Sequence, residues 1–171
     1  MPETTLAGHP LHPQLVAFPL GLLPFSLAMD VMHLITGERR YADTAYHAMV
    51  AGCAGAVAAG AAGAVDYFSI PKGTKSSKTA NVHGAMNLGL IGMYGLNLLL
   101  RSRERSPGPL PVALSALGTA GLIMSAWFGG KLVYDLGMRV KPVMEGDKEP
   151  QWKLPGDEKI EHAFEALEHA V

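Results

Sequence analysis

Four long stretches of the chain contain no Asp, Glu, Lys or Arg: between Glu3 and Asp30, Asp43 and Asp66, Lys78 and Arg101, and Arg105 and Lys131. With 17% charged residues overall, such gaps do not arise from random placement. Each is about as long as the roughly 20 apolar residues a helix needs to cross a bilayer. The pattern predicts four transmembrane helices, at about 14–35, 45–65, 80–100 and 111–134. The short connections predict an all-α, up-down-up-down bundle of antiparallel neighbours. A soluble bundle would carry a charged outer face on each helix, and none of these four does. Residues 1–140 then form an integral membrane domain, and 141–171 a soluble tail. In the tail Asp157 can cap a short helix, in which Ile160, Phe164, Leu167 and Val171 make an amphipathic stripe suited to a membrane surface or a partner.

Polar positions inside the apolar runs refine this picture. The first span contains Pro19 and Pro24, each of which removes a backbone hydrogen bond, and ends near Asp30 and His33. Thr36-Gly37 closes it, and Glu38-Arg39-Arg40 reads as a solvated loop. The second span starts near His47 and is small-sided: Gly52, Ala56, Gly60 and Ala64 form one row, and Gly55, Ala59 and Gly63 another. Small residues at this spacing permit close approach of membrane helices, within the bundle or between copies of the chain. The third span carries His83, Asn87, Tyr94 and Asn97 at helical spacing, a polar stripe that should face the bundle interior. Arg101, Arg103 and Arg105 follow, then Pro107, Pro109 and Pro111 stiffen the entry into the fourth span. There Gly121, Ser125 and Gly129 repeat the small-residue row, and Trp127 and Tyr134 suit the interfacial aromatic belt.

The lead-in to the first span is His9-Pro10-Leu11-His12-Pro13. A residue before proline is pushed toward extended conformations, and the polyproline repeat of three would point both imidazoles the same way. Pro13 suits the first turn of a helix starting there. An antiparallel bundle sorts these groups by end. One end gathers His9, His12, Asp66, Tyr67, His83, Lys131, Tyr134 and Asp135; the other gathers Asp30, His33, His47 and Asn97. Imidazole suits zinc, copper, iron and nickel. His9, His12 and His83, supported by Asp66, are therefore candidate ligands for a transition metal or haem b.

Composition adds exclusions. The net charge of −1 gives nothing for nucleic acid to bind, and the single Cys53 cannot form an internal disulfide. Mean hydropathy is only +0.17, because the charges crowd into loops and tail. No Lys or Arg precedes the first apolar run, so a cleaved signal peptide is not expected. Basic residues are nearly balanced between the two ends, which leaves orientation open. No nucleophile–base pair, phosphate loop or zinc-protease signature is present, so an ordinary hydrolase or kinase is not expected. Three readings remain: a small membrane protein binding metal or haem for electron transfer, a cofactor-free subunit of a larger membrane complex, or a conductor of protons or small solutes using Asp30, His47 and the third-span stripe.

The His9-Pro10-Leu11-His12-Pro13 stretch, with Phe18-Pro19, Asp30, Asp66-Tyr67, His83 and Gly129-Gly130-Lys131-Leu132-Val133-Tyr134, resembles the bacterial membrane family known as domain of unknown function 2231 over about 8–140. The resemblance implies a four-span protein of the bacterial inner membrane. Some members of that family are fused to Rieske-type iron–sulfur domains, which implies electron transfer with membrane redox-complex subunits as partners. Many relatives carry a histidine two residues after the closing tyrosine, where this chain has Leu136.

Overall fold

The computed structural model describes residues 5–6, 9–101, 106–138, 163 and 166–167. Four helices account for most of them: α1 (Leu11–Thr36), α2 (Arg39–Tyr67), α3 (Lys75–Arg101) and α4 (Pro109–Tyr134). Ahead of α1, β1 (Thr5–Leu6) and β2 (His9–Pro10) pair as a two-residue antiparallel ribbon. The all-α bundle is as the charge-free runs predict. The tail stripe at Ile160, Phe164 and Val171, and its cap Asp157, lie outside the described residues.

The helices run past the apolar segments at most ends. α2 starts at Arg39, so Arg39 and Arg40 belong to its first turn rather than to a loop; both remain exposed there. α3 likewise starts at Lys75, inside the expected basic loop. A helix end protruding from an apolar layer loses nothing by carrying charges, so the charge pattern marks the layer and not the helix. α1 starts at Leu11, not at Pro13, and His12 is helical rather than extended. Pro13 sits in the first turn, where its missing N–H is not required, and this overrides the bias against helix at the preceding residue.

α1 packs chiefly on α2, and α3 chiefly on α4, making two hairpins. Gly37 closes α1 in the left-handed conformation (φ 70°), its N–H bonded to His33 O at 2.8 Å. The core is small and central: Leu23, Met49, Leu90, Tyr94 and Leu122. The outer surface is apolar, with Ile35, Leu88 and Leu99 each about three-quarters exposed. α1, α2 and α4 are long and apolar enough to cross a membrane. α3 is long enough but carries the polar stripe, and its polar groups turn inward against α4.

Candidate functional site

Two polar clusters lie at opposite ends of the bundle. At the first end, His12 stands on the opening turn of α1 and His83 two turns into α3. Each is seated in the same manner. His12 Nδ1 lies 2.7 Å from Ala59 O on α2, and its ring rests on Gly63, where a Cβ would come within 2.9 Å of it. His83 Nδ1 lies 2.9 Å from Ser125 O on α4, and its ring rests on Gly129, where a Cβ would come within 3.0 Å. A carbonyl can only accept, so each Nδ1 carries the proton and each Nε2 of the neutral ring is left as an acceptor. The Asn87 amide donates to His83 Nε2 at 3.1 Å and also to His83 O at 2.9 Å. The two imidazoles face each other with centroids 6.2 Å apart and planes at 86°.

Both rings line a cavity of about 790 Å³ between the hairpins, shared with Asp66, Tyr67, Asn87 and Ser125. Tyr67 Oη donates to Asn81 Oδ1 at 2.7 Å near its mouth. The two rings stand edge to face, and the Asn87 amide occupies His83 Nε2. Nδ1 bonded to a backbone carbonyl is how metal-ligating histidines are oriented. Among the described residues, no three His, Cys, Asp or Glu side chains stand together as a metal cage. His9 lies in β2, and its side chain is outside the described residues. Of the other residues expected at this end, Tyr134 is 87% exposed and Lys131 sits over the Trp127 ring at 5.1 Å. Leu136 lies in the turn after α4, its N–H on Lys131 O.

At the second end, Asp30 and Arg101 form a fully buried ion pair. Arg101 Nη1 donates to Asp30 Oδ1 at 2.8 Å and Nη2 to Oδ2 at 2.6 Å. Arg101 Nε donates to Asn97 Oδ1 at 2.8 Å, while Asn97 Nδ2 donates to Pro111 O at 2.8 Å and to Ser115 Oγ at 2.9 Å. Arg101 Nη2 also reaches Ser115 Oγ at 3.3 Å. Among the described residues, no buried side-chain nitrogen or oxygen lacks a partner. His33 and His47, expected beside Asp30, take no part: His33 Nδ1 bonds Glu38 O and His47 Nδ1 bonds Asp43 O, both near the surface. Tyr94, between the two ends, donates to Ser115 O at 3.3 Å and meets Thr119 Oγ1 at 3.2 Å.

The helical spacing of His83, Asn87, Tyr94 and Asn97 points them inward, but neither the burial of Asp30 nor Arg101 as its partner is among the sequence expectations. In sequence that arginine only follows the third span, together with Arg103 and Arg105. The missed signal was spacing: Arg101 is four residues after Asn97 and continues the stripe one turn further. Glycines of α2 and α4 seat side chains of the neighbouring helix inside the bundle. Gly52 and Gly55 receive Leu23 and Phe18, and Gly118 and Gly121 receive Tyr94 and Leu90.

No curated protein and no solved structure matches the chain. The family model described as "Predicted membrane protein (DUF2231)" matches residues 8–142, which take in both polar clusters and all four helices, and the chain therefore belongs to that membrane-protein family.

Proposed function

We propose that the protein is a four-span electron-transfer protein of the bacterial inner membrane whose His12 and His83 hold haem b iron between them. The observation that carries this reading is the pair of imidazoles 6.2 Å apart, each with Nδ1 on a helix carbonyl and Nε2 left as acceptor. A centre needing two protein ligands suits this pair better than a bare ion needing three or four. Haem supplies one-electron chemistry; the protein's part is to bind and orient it and to keep water away. Asp66 and Tyr67 at the cavity mouth supply polar contacts for a group that reaches the surface. Where relatives carry a histidine at the closing turn, Leu136 offers no ligand, and the site draws on α1 and α3 instead. His9, three residues before His12 in sequence, is a further candidate ligand.

The test is an absorption spectrum with haem and metal analysis on detergent-purified protein from haem-replete cells, beside His12→Ala and His83→Ala. A Soret band at near one haem per chain, lost in both variants while the bundle stays folded, is the expected result. Haem content unchanged by His83→Ala, or a colourless wild-type protein that also takes up no added haem, overturns the reading.

A further inference from the structure

The contacts within the first hairpin recur, residue for residue, in the second. Counting 71 positions forward from α1 and 66 from α2 superposes them. His12 on Ala59 O becomes His83 on Ser125 O. Ser26 Oγ donating to Ala45 O at 2.7 Å becomes Asn97 Nδ2 donating to Pro111 O at 2.8 Å. Leu23 against Gly52 becomes Tyr94 against Gly118, and His12 against Gly63 becomes His83 against Gly129. The glycines keep their spacing: Gly52, Gly55 and Gly63 in α2, Gly118, Gly121 and Gly129 in α4. α1 and α3 both begin at the histidine end, so an axis relating the hairpins runs along the bundle.

Two pairs of equivalent residues meet on that axis. His12 faces its equivalent His83, and Asp30 faces its equivalent Arg101. Like residues meeting at a two-fold axis are the mark of an isologous interface, in which one surface pairs with a copy of itself. The Asp30–Arg101 pair breaks the identity. Two first hairpins meeting this way would bring Asp30 against Asp30, and two second hairpins would bring Arg101 against Arg101, each an unpaired buried charge. Only a first hairpin with a second one is neutral.

We infer that the interface between the hairpins is a copy-accepting surface, one that the complementary hairpin of a second chain can fill, and that Asp30 and Arg101 select which hairpins pair. The connection between α2 and α3 is short, so the chain's own second hairpin fills the surface when the pair is intact. The inference is independent of any ligand at the histidines.

The test uses full-length chains with two different tags. Asp30→Leu in one chain and Arg101→Met in another each leave one buried charge without its partner. Alone, each should lose the monodisperse elution profile of the wild type. Both substitutions in one chain should restore it, because no charge is then stranded. Co-expressed, the two single variants should give a particle of two chains carrying both tags, since exchange of hairpins rebuilds one native pair and leaves one charge-free pair. Single variants that keep the elution profile of the wild type overturn the selecting role, as does a double variant that is not restored. A restored double variant with no two-tag particle on co-expression overturns the copy-accepting surface.

Discussion

Arg101 holds Asp30 with two parallel hydrogen bonds, of 2.8 and 2.6 Å, where neither side chain meets solvent. The geometry is the fork-to-carboxylate match that only arginine provides. α3 ends at Arg101 and α4 starts at Pro109, whereas α1 runs six residues beyond Asp30. The arginine therefore sits at the end of its own helix, and its side chain reaches inward to a carboxylate one turn and a half inside α1.

Removing one partner should cost far more than removing both. Arg101→Ala leaves the Asp30 carboxylate buried without its cation, a loss of about 3–5 kcal/mol. Replacing both by apolar residues of similar volume should be within about 1–2 kcal/mol of the wild type, since the desolvation of both charges is relieved together. Denaturant titration of the detergent-solubilised protein, followed by circular dichroism, measures both. A loss below about 1 kcal/mol for Arg101→Ala would show that water or lipid headgroups replace the arginine.

Asn97 is the joint of that cluster, since it bonds α4 at Pro111 O and Ser115 Oγ and accepts from Arg101 Nε. Asn97→Ala leaves the Arg101 Nε–H without an acceptor and should cost about 1–3 kcal/mol. Asn97→Asp keeps an acceptor for Arg101 but loses the amide donor to Pro111 O, and adds a charge beside Asp30. It should be no better than alanine. Recovery to wild-type stability with aspartate would mean that the bonds to α4 contribute nothing.

The number of helices and the inward stripe of α3 were legible because both follow from period and from the absence of charge. The partners were not. Asp30 and Arg101 are separated by 71 positions, and nothing local to either names the other. Arg101 was hidden by Arg103 and Arg105, which follow it at alternate positions in the sequence. His12 was legible as a candidate, but its conformation was misread, because the bias before proline is weaker than the helix start that places its ring on Gly63. His33 was grouped with Asp30 by nearness in sequence and His47 by lying at the same end of the bundle, and each bonds a nearby carbonyl instead. The equal spacing of Gly52, Gly55, Gly63 and Gly118, Gly121, Gly129 stood in the sequence throughout, and it marks the doubled hairpin.

Glycines divide into seats and open positions, and alanine substitution should separate them. Gly63→Ala and Gly129→Ala place a methyl within 2.9 Å of His12 and 3.0 Å of His83, so each ring must shift on its seat, and both variants should be destabilised. Gly92→Ala and Gly95→Ala meet nothing within 4 Å, and the gain in helix propensity should stabilise each by up to about 1 kcal/mol. Thermal melts of the four variants, with the haem-to-chain ratio of each, make the comparison. If all four behave alike, the imidazoles are not seated by glycine.

Asn87 and any ligand at His83 compete for one lone pair. Its amide donates to His83 Nε2 at 3.1 Å, the nitrogen that a metal would take. Opening that bond costs the ligand-free protein about 0.5–1.5 kcal/mol, and the cost falls on ligand binding. Asn87→Ala removes the competitor while the bond from His83 Nδ1 to Ser125 O still orients the ring. Added haem should therefore bind Asn87→Ala more tightly than the wild type, by roughly two- to tenfold. A spectral titration of purified protein with haem reads this directly. Binding weakened tenfold or more would reverse the assignment, and would make Asn87 a group that holds the bound state rather than one that closes the site.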